Sequence, residues 1–229
     1  MKFWNLLFVV AMAPLSAYAG FIPPNLPAGS EYEIAFVTRD ARDATSWNIA
    51  DYNSFVTTEA GQNSGLPSGV TWHAIASTVG NVDNGLGQAD ADQNAPFTSS
   101  IPVYNTDGQL VANASTPLYG TTGTLINPIG YDQFGNALAT GVWTGSNTDG
   151  TSDKPLGGQS SYGWPDTGYS ANTNAIWIHG GYESQGSPMV FYALSSPITV
   201  VPEPASLTLL ASALLGLGVV YLRRRWAKA

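Results

Sequence analysis

The chain holds two histidines, His73 and His179, and no cysteine. Without a thiol, cysteine-based zinc sites and thiol nucleophiles are excluded, and the fold must hold without disulfide staples. A Ser-His-Asp site needs an imidazole poised beside a serine and oriented by a carboxylate. Neither histidine lies in a Gly-x-Ser-x-Gly elbow. His73 follows Trp72 in a strand-like pattern, and His179 precedes Gly180-Gly181 at a strand end, so both read as structural or surface histidines. Two acids facing each other across a cleft with displaced pKa values could cleave a glycosidic bond. Of the sixteen acids, fifteen lie between Gly20 and Val201, and no pair among them is distinguished by its spacing. They read as a solvated acidic surface. The expectation is a protein that is not an enzyme, with a hydrolase of extracellular polysaccharide or a purely structural surface protein as the alternatives.

Binding chemistry has better candidates. Trp143, Tyr162, Trp164, Tyr169, Trp177 and Tyr182 fall in one stretch whose other residues are largely Gly, Ser, Asn and Thr. A neutral sugar stacks its C–H face on an aromatic ring and offers hydroxyls to short polar side chains, so this composition suits polysaccharide. Trp143 and Trp177 sit in strand patterns and are expected in the core. Tyr162, Trp164 and Tyr169 sit in Gly-rich loop and are the candidate ligand-binding residues. Asp83, Asp90 and Asp92, close together in another loop, are candidate Ca²⁺ ligands, because that hard ion takes six to eight oxygens. Their spacing matches neither an EF-hand loop nor a Gly-Gly-x-Gly-x-Asp repeat, and a polar loop is the competing reading; no other cofactor is expected.

The elements that would position these residues follow from periodicity. Pro23, Pro24 and Pro27 make residues 20–30 an extended lead-in. Glu31 to Thr38 alternates, with Tyr32, Ile34 and Phe36 on one face and Glu31, Glu33, Ala35 and Val37 on the other, which is a strand. Ile49, Tyr52, Phe55, Val56 and Ala60 recur at helical intervals, with Asn48 and Asp51 as a capping pair and Gly61 as a stop. Part of Val70 to Val79 reads as strand, and Gly80 to Ser100 as turn chemistry throughout. Asp107-Gly108 between two β-rich runs signals a hairpin. Gly141 to Gly145, Asn174 to Ile178 and Met189 to Leu194 are further strands, and no internal repeat is visible. From Gly20 to Val201 three basic residues, Arg39, Arg42 and Lys154, stand against fifteen acids, a balance of −12. Such a surface cannot neutralise phosphates, so nucleic acid is not expected as a partner.

Two segments are addresses. Residues 1–19 combine Lys2, an apolar run from Phe3 to Leu15 and Ala17-Tyr18-Ala19, the pattern of a secretory signal peptide cleaved before Gly20. At the other end Val201-Pro202-Glu203-Pro204 precedes the uncharged stretch Ala205 to Leu222 and then Arg223-Arg224-Arg225. As a helix, residues 205–222 would be about 27 Å long, close to a bilayer's hydrocarbon core of ~30 Å. The basic tail 223–229 would face the cytoplasm. Residues 201–229 resemble a PEP-CTERM sorting signal of Gram-negative bacteria that make exopolysaccharide. The resemblance implies export through the secretion machinery, anchoring in the inner membrane, and recognition by an exosortase that removes the tail, leaving the protein at the cell surface or outside the cell.

The segment between is similar to a family of bacterial and spirochaete exported domains with a C-type-lectin-like, endostatin-like fold. The likeness rests on Trp72 to Thr78, Pro102 to Ala112, Asn127-Pro128-Ile129, Val142 to Gly150 and the closing Val190 to Ser195. It implies an α+β domain over residues 31–200, mostly a twisted antiparallel sheet with one early helix and long loops, and a binding or adhesion role in the matrix. The cysteines often found near the end of such domains are missing, and Ser77 to Ala95 offers no strong second helix. The triplets by which calcium-dependent lectins hold ion and sugar (Glu-Pro-Asn, Gln-Pro-Asp, Trp-Asn-Asp) are absent; Trp164-Pro165-Asp166 is a faint echo.

Overall fold

Two neighbouring strands carry the structure: β1 (Glu31–Val37) and β8 (Val190–Ser195), paired antiparallel through Ala35↔Leu194, Phe36↔Ala193 and Val37↔Tyr192. The computed structural model describes residues 21, 23, 26–80 and 86–200. The expected signal peptide, Asp83, and the expected sorting signal with its expected helix over 205–222 lie outside the described residues. Among the described residues no helix is long and apolar enough to cross a membrane. Gly20–Val201 forms one compact unit.

Around the central pair the sheet runs β4 (Leu110–Ala112), β3 (Val103–Asn105), β1, β8, β5 (Gly141–Trp143), β6 (Asp166–Tyr169), β7 (Gly181–Tyr182). Two more strands pair off this path: β2 (Trp72–Ala74) with β8, and β9 (Ile198–Thr199) with β1. Most pairs are antiparallel, as expected for a sheet-rich α+β fold. The sheet is nonetheless mixed, because β1–β3 and β5–β8 are parallel. Each parallel pair joins strands separated by long stretches of chain, which is what parallel pairing requires.

Alternation along β1 and β8 sends side chains to two cores. Ile34, Phe36, Phe191 and Ala193 join Tyr52, Val56, Trp72 and Trp143 on one face. Ala35, Val37, Tyr192 and Leu194 join Val111, Leu118, Ile129 and Trp177 on the other. A strand buried on both faces is apolar at nearly every position, and Glu33, only 2% exposed, is the exception among the buried residues of β1.

The helix α1 (Ile49–Gly61) covers the first face with Tyr52, Val56 and Ala60, while Ile49 and Phe55 pack partly buried beside them. Asn48 caps it by accepting from the Ala50 N–H at 3.1 Å. Asp51 does not complete a capping box. Its Oδ2 accepts from the Ser46 hydroxyl at 2.6 Å, because an aspartate is too short to reach back to the cap. Near the helix end, Glu59 is buried and satisfied by the Asp40 N–H and the Gln133 and Gln62 amides. Beside it Asp132 accepts from Arg39, from the Phe134 and Asn136 N–H groups and from the Asn136 amide. Burial would raise the Asp132 pKa, but these donors together hold it below the ordinary value.

Two expectations need correction. The Gly80–Ser100 loop contains one helical turn, α2 (Ala91–Asn94), tied down by the Tyr119 hydroxyl donating to the Ala91 and Ala95 carbonyls. Around Trp177 the chain forms a 3₁₀ turn, Ala175–Trp177, instead of a strand. The Asn174 side chain accepts from the Ile176 N–H at 3.1 Å, a local bond that competes with sheet pairing.

Candidate ligand-binding surface

The strand-and-turn unit β5–β6–β7 gathers the exposed aromatic and titratable groups. Its register pairs Asp166 with Tyr182 and Thr167 with Gly181 across β6–β7, and Val142 with Gly168 across β5–β6. Gly168 is required where it stands, since a Cβ there would overlap the Trp177 carbonyl. That close approach seats the 3₁₀ turn against β6. The Gly180 N–H then donates to the Thr167 carbonyl at 2.7 Å, and His179 emerges alongside Asp166.

Asp166 is the buried centre of the group. Its N–H donates to the Lys154 carbonyl, and its Oδ2 accepts the Lys154 N–H at 3.1 Å, so the loop carrying Asp153 and Lys154 is fastened to β6. The Nδ1 atom of His179 lies 3.7 Å from the same Oδ2. Side-chain exposure is 2% for Asp166 and 43% for His179. Burial lifts the Asp166 carboxyl to about 6; the Asp153 charge adds to the rise, while the Lys154 N–H and His179 oppose it.

Beside these groups Trp164 and Tyr182 form an exposed aromatic pair, with centroids 6.1 Å apart and planes tilted by 55°. They are 50% and 61% exposed. The Lys154 ammonium sits 4.7 Å from the Tyr182 centroid, a cation–π contact that fixes the ring from one side. The expected aromatic residues thus separate. Tyr162, on the short turn α3 (Gln159–Tyr162), is exposed and lies over Gly158. Tyr169 is exposed at the far end of β6, opposite Gly141, an odd number of residues from Asp166 and hence on the other face. Tyr182 is the ring that joins Trp164. Trp143 and Trp177 are fully buried, as their strand-like surroundings suggested for the core.

The remaining candidates lie elsewhere. Asp90 accepts the Ser152 N–H through Oδ1, and the buried Oδ1 of Asp92 has no hydrogen-bond partner among the described residues. His73, on β2, is half-buried, and burial lowers its pKa against the opposing effect of its interaction with the Asn94 side chain. Among the described residues one group brings three metal-ligating side chains together: Asp153, Asp166 and His179, with one donor atom of each within 4.8 Å of the others. No spacing in the sequence marks this cluster, because its members come from three segments with no local motif. The echo at Trp164-Pro165-Asp166 was the one signal touching it.

Comparison with known proteins speaks to the tail. Residues 200–225 match the PEP-CTERM protein-sorting motif. The chain carries an exosortase sorting signal. Val201, Pro202, Glu203, Pro204 and Arg223 to Arg225 all fall within the match. The motif marks a protein that is exported, anchored in the membrane before processing, and sorted as an extracellular surface protein with an exosortase as its partner. No curated protein matches the chain.

Proposed function

We propose that the exported domain is a non-enzymatic, C-type-lectin-like binding module of the exopolysaccharide matrix. The observation that carries this reading is the Trp164–Tyr182 pair, half-exposed and held in fixed geometry by β6, β7 and Lys154. Rigid rings offer area to a sugar's C–H face with little loss of side-chain entropy. The sheet-rich α+β architecture with one long early helix supports the lectin-like assignment. Binding of Gly20–Val201 to a glycan array, lost in Trp164→Ala, tests the proposal; an array on which the two proteins behave alike overturns it.

A second reading has one observation in its favour. Asp153 and Asp166 place carboxylates close together beside the aromatic pair, and Asp166 titrates near 6. Such a pair could act on a glycosidic bond. Turnover of purified exopolysaccharide that disappears in Asp166→Asn would replace binding with hydrolysis.

Removal of the tail belongs to the same proposal. The mass of the chain recovered from cells making an exosortase is expected to place its C-terminus near Pro202-Glu203-Pro204. A mass ending at Ala229 would leave anchoring intact and rule out processing.

A further inference from the structure

We propose that Asp153, Asp166 and His179 form a binding site for a first-row divalent cation, with Zn²⁺ the best fit. One nitrogen and two carboxylate oxygens converge within 4.8 Å of one another. The separation of 3.7 Å between His179 Nδ1 and Asp166 Oδ2 exceeds the hydrogen-bond range of roughly 2.7–3.2 Å. It is within about 0.3 Å of the spacing of two ligands of one ion, because donors each about 2.1 Å from a tetrahedral metal are separated by about 3.4 Å. The central ligand is already held in place. Asp166 is buried and clamped by backbone hydrogen bonds in both directions with Lys154, so little ordering remains for the metal to impose.

Charge favours a cation here. The neighbouring ammonium of Lys154 points over the Tyr182 ring, and among the described residues neither ion pair brings a lysine or arginine to Asp153 or Asp166. The donor set selects the ion. Ca²⁺ and Mg²⁺ take oxygen ligands, whereas imidazole with carboxylate suits Zn²⁺ and its neighbours. Three protein ligands leave a position for water or an external ligand. The site stands whether or not the adjoining aromatic face binds sugar.

The test uses the full chain in detergent, stripped with EDTA and titrated calorimetrically with Zn²⁺, Mn²⁺ and Ca²⁺. The chain has two histidines, so His73→Asn is a matched control for His179→Asn. The expected result is one Zn²⁺ per chain, bound in preference to Ca²⁺, weakened about 100-fold or more in His179→Asn and unchanged in His73→Asn. Because His179 is 43% exposed, its variant should keep the parent's circular dichroism. The nitrogen NMR signals of His179, and not those of His73, should shift on adding Zn²⁺. Absence of saturable Zn²⁺ binding, or binding that survives His179→Asn, overturns the proposal.

Discussion

Replacing Glu33 with Gln is expected to remove most of the fall in this domain's stability between pH 4.5 and about 8 and to raise its melting temperature in mild alkali. Glu33 sits on the central strand, and its Oε2 atom has no hydrogen-bond partner among the described residues. Burial pushes its carboxyl from the ordinary 4.5 up to about 8. Between those values the folded chain keeps a proton that the unfolded chain has lost. Stability therefore falls as pH rises through that window and levels off above it. At about 1.4 kcal/mol per pKa unit the loss is on the order of 3–5 kcal/mol. Asp166, lifted from 3.8 to about 6, adds a smaller change of the same sign, which the variant retains. Asp43, Asp132 and Asp149 are shifted downward and act oppositely, their contributions being lost only as pH falls through their lowered values. Thermal unfolding of parent and Glu33→Gln across this range decides the point. For a domain of this size roughly 2–4 °C per kcal/mol is expected, so a gap of about 10 °C should open by about pH 8. Parallel curves would show that Glu33 ionises normally in the folded state.

Gly168→Ala should be strongly destabilising, for a reason of shape. The added methyl meets the backbone of Trp177 and Ile178, not a flexible side chain that could swing aside. Either β6 leaves its register with β5 and β7, or the 3₁₀ turn lifts away and takes Trp177 out of the core. Overpacking against backbone costs about 3 kcal/mol or more, a fall of roughly 6–12 °C in Tm. Gly186→Ala is the control, since a Cβ there meets nothing within 4 Å and its φ is not positive. Equal melting temperatures for the two variants would refute the close-packing argument. The Gly168 variant should also lose metal binding, because that contact brings His179 to Asp166.

What could be read from residues was what depends on short range. The alternation of β1, the stripe and Asn48 cap of α1, the Asp107-Gly108 hairpin and the core tryptophans each follow from neighbours within a few positions. The turn at Trp177 has the sequence of a strand, an aromatic between β-branched neighbours, and it is the Asn174 cap that makes it a turn. Glu33 was placed on its correct face, but periodicity alone does not reveal that both faces of β1 are covered. The Asp153–Asp166–His179 cluster was illegible for a different reason. Its geometry depends on Gly168 admitting the Trp177 carbonyl and on Lys154 clamping Asp166, contacts between segments that no local spacing records. Tyr182 belonged to the aromatic set, yet its pairing with Trp164 follows from the β6–β7 register.

The Trp164–Tyr182 face is the proposed binding surface for the matrix polysaccharide. The most direct test of this binding is calorimetric titration of neutral oligosaccharides, cut from that polysaccharide, into the Gly20–Val201 unit and three single variants. Saturable binding is expected in the parent, weakened at least about 10-fold, or ~1.4 kcal/mol, in Trp164→Ala and in Tyr182→Ala. Tyr169→Ala, on the opposite face, should bind like the parent. No binding by the parent, or equal affinity in all four proteins, would contradict the claim.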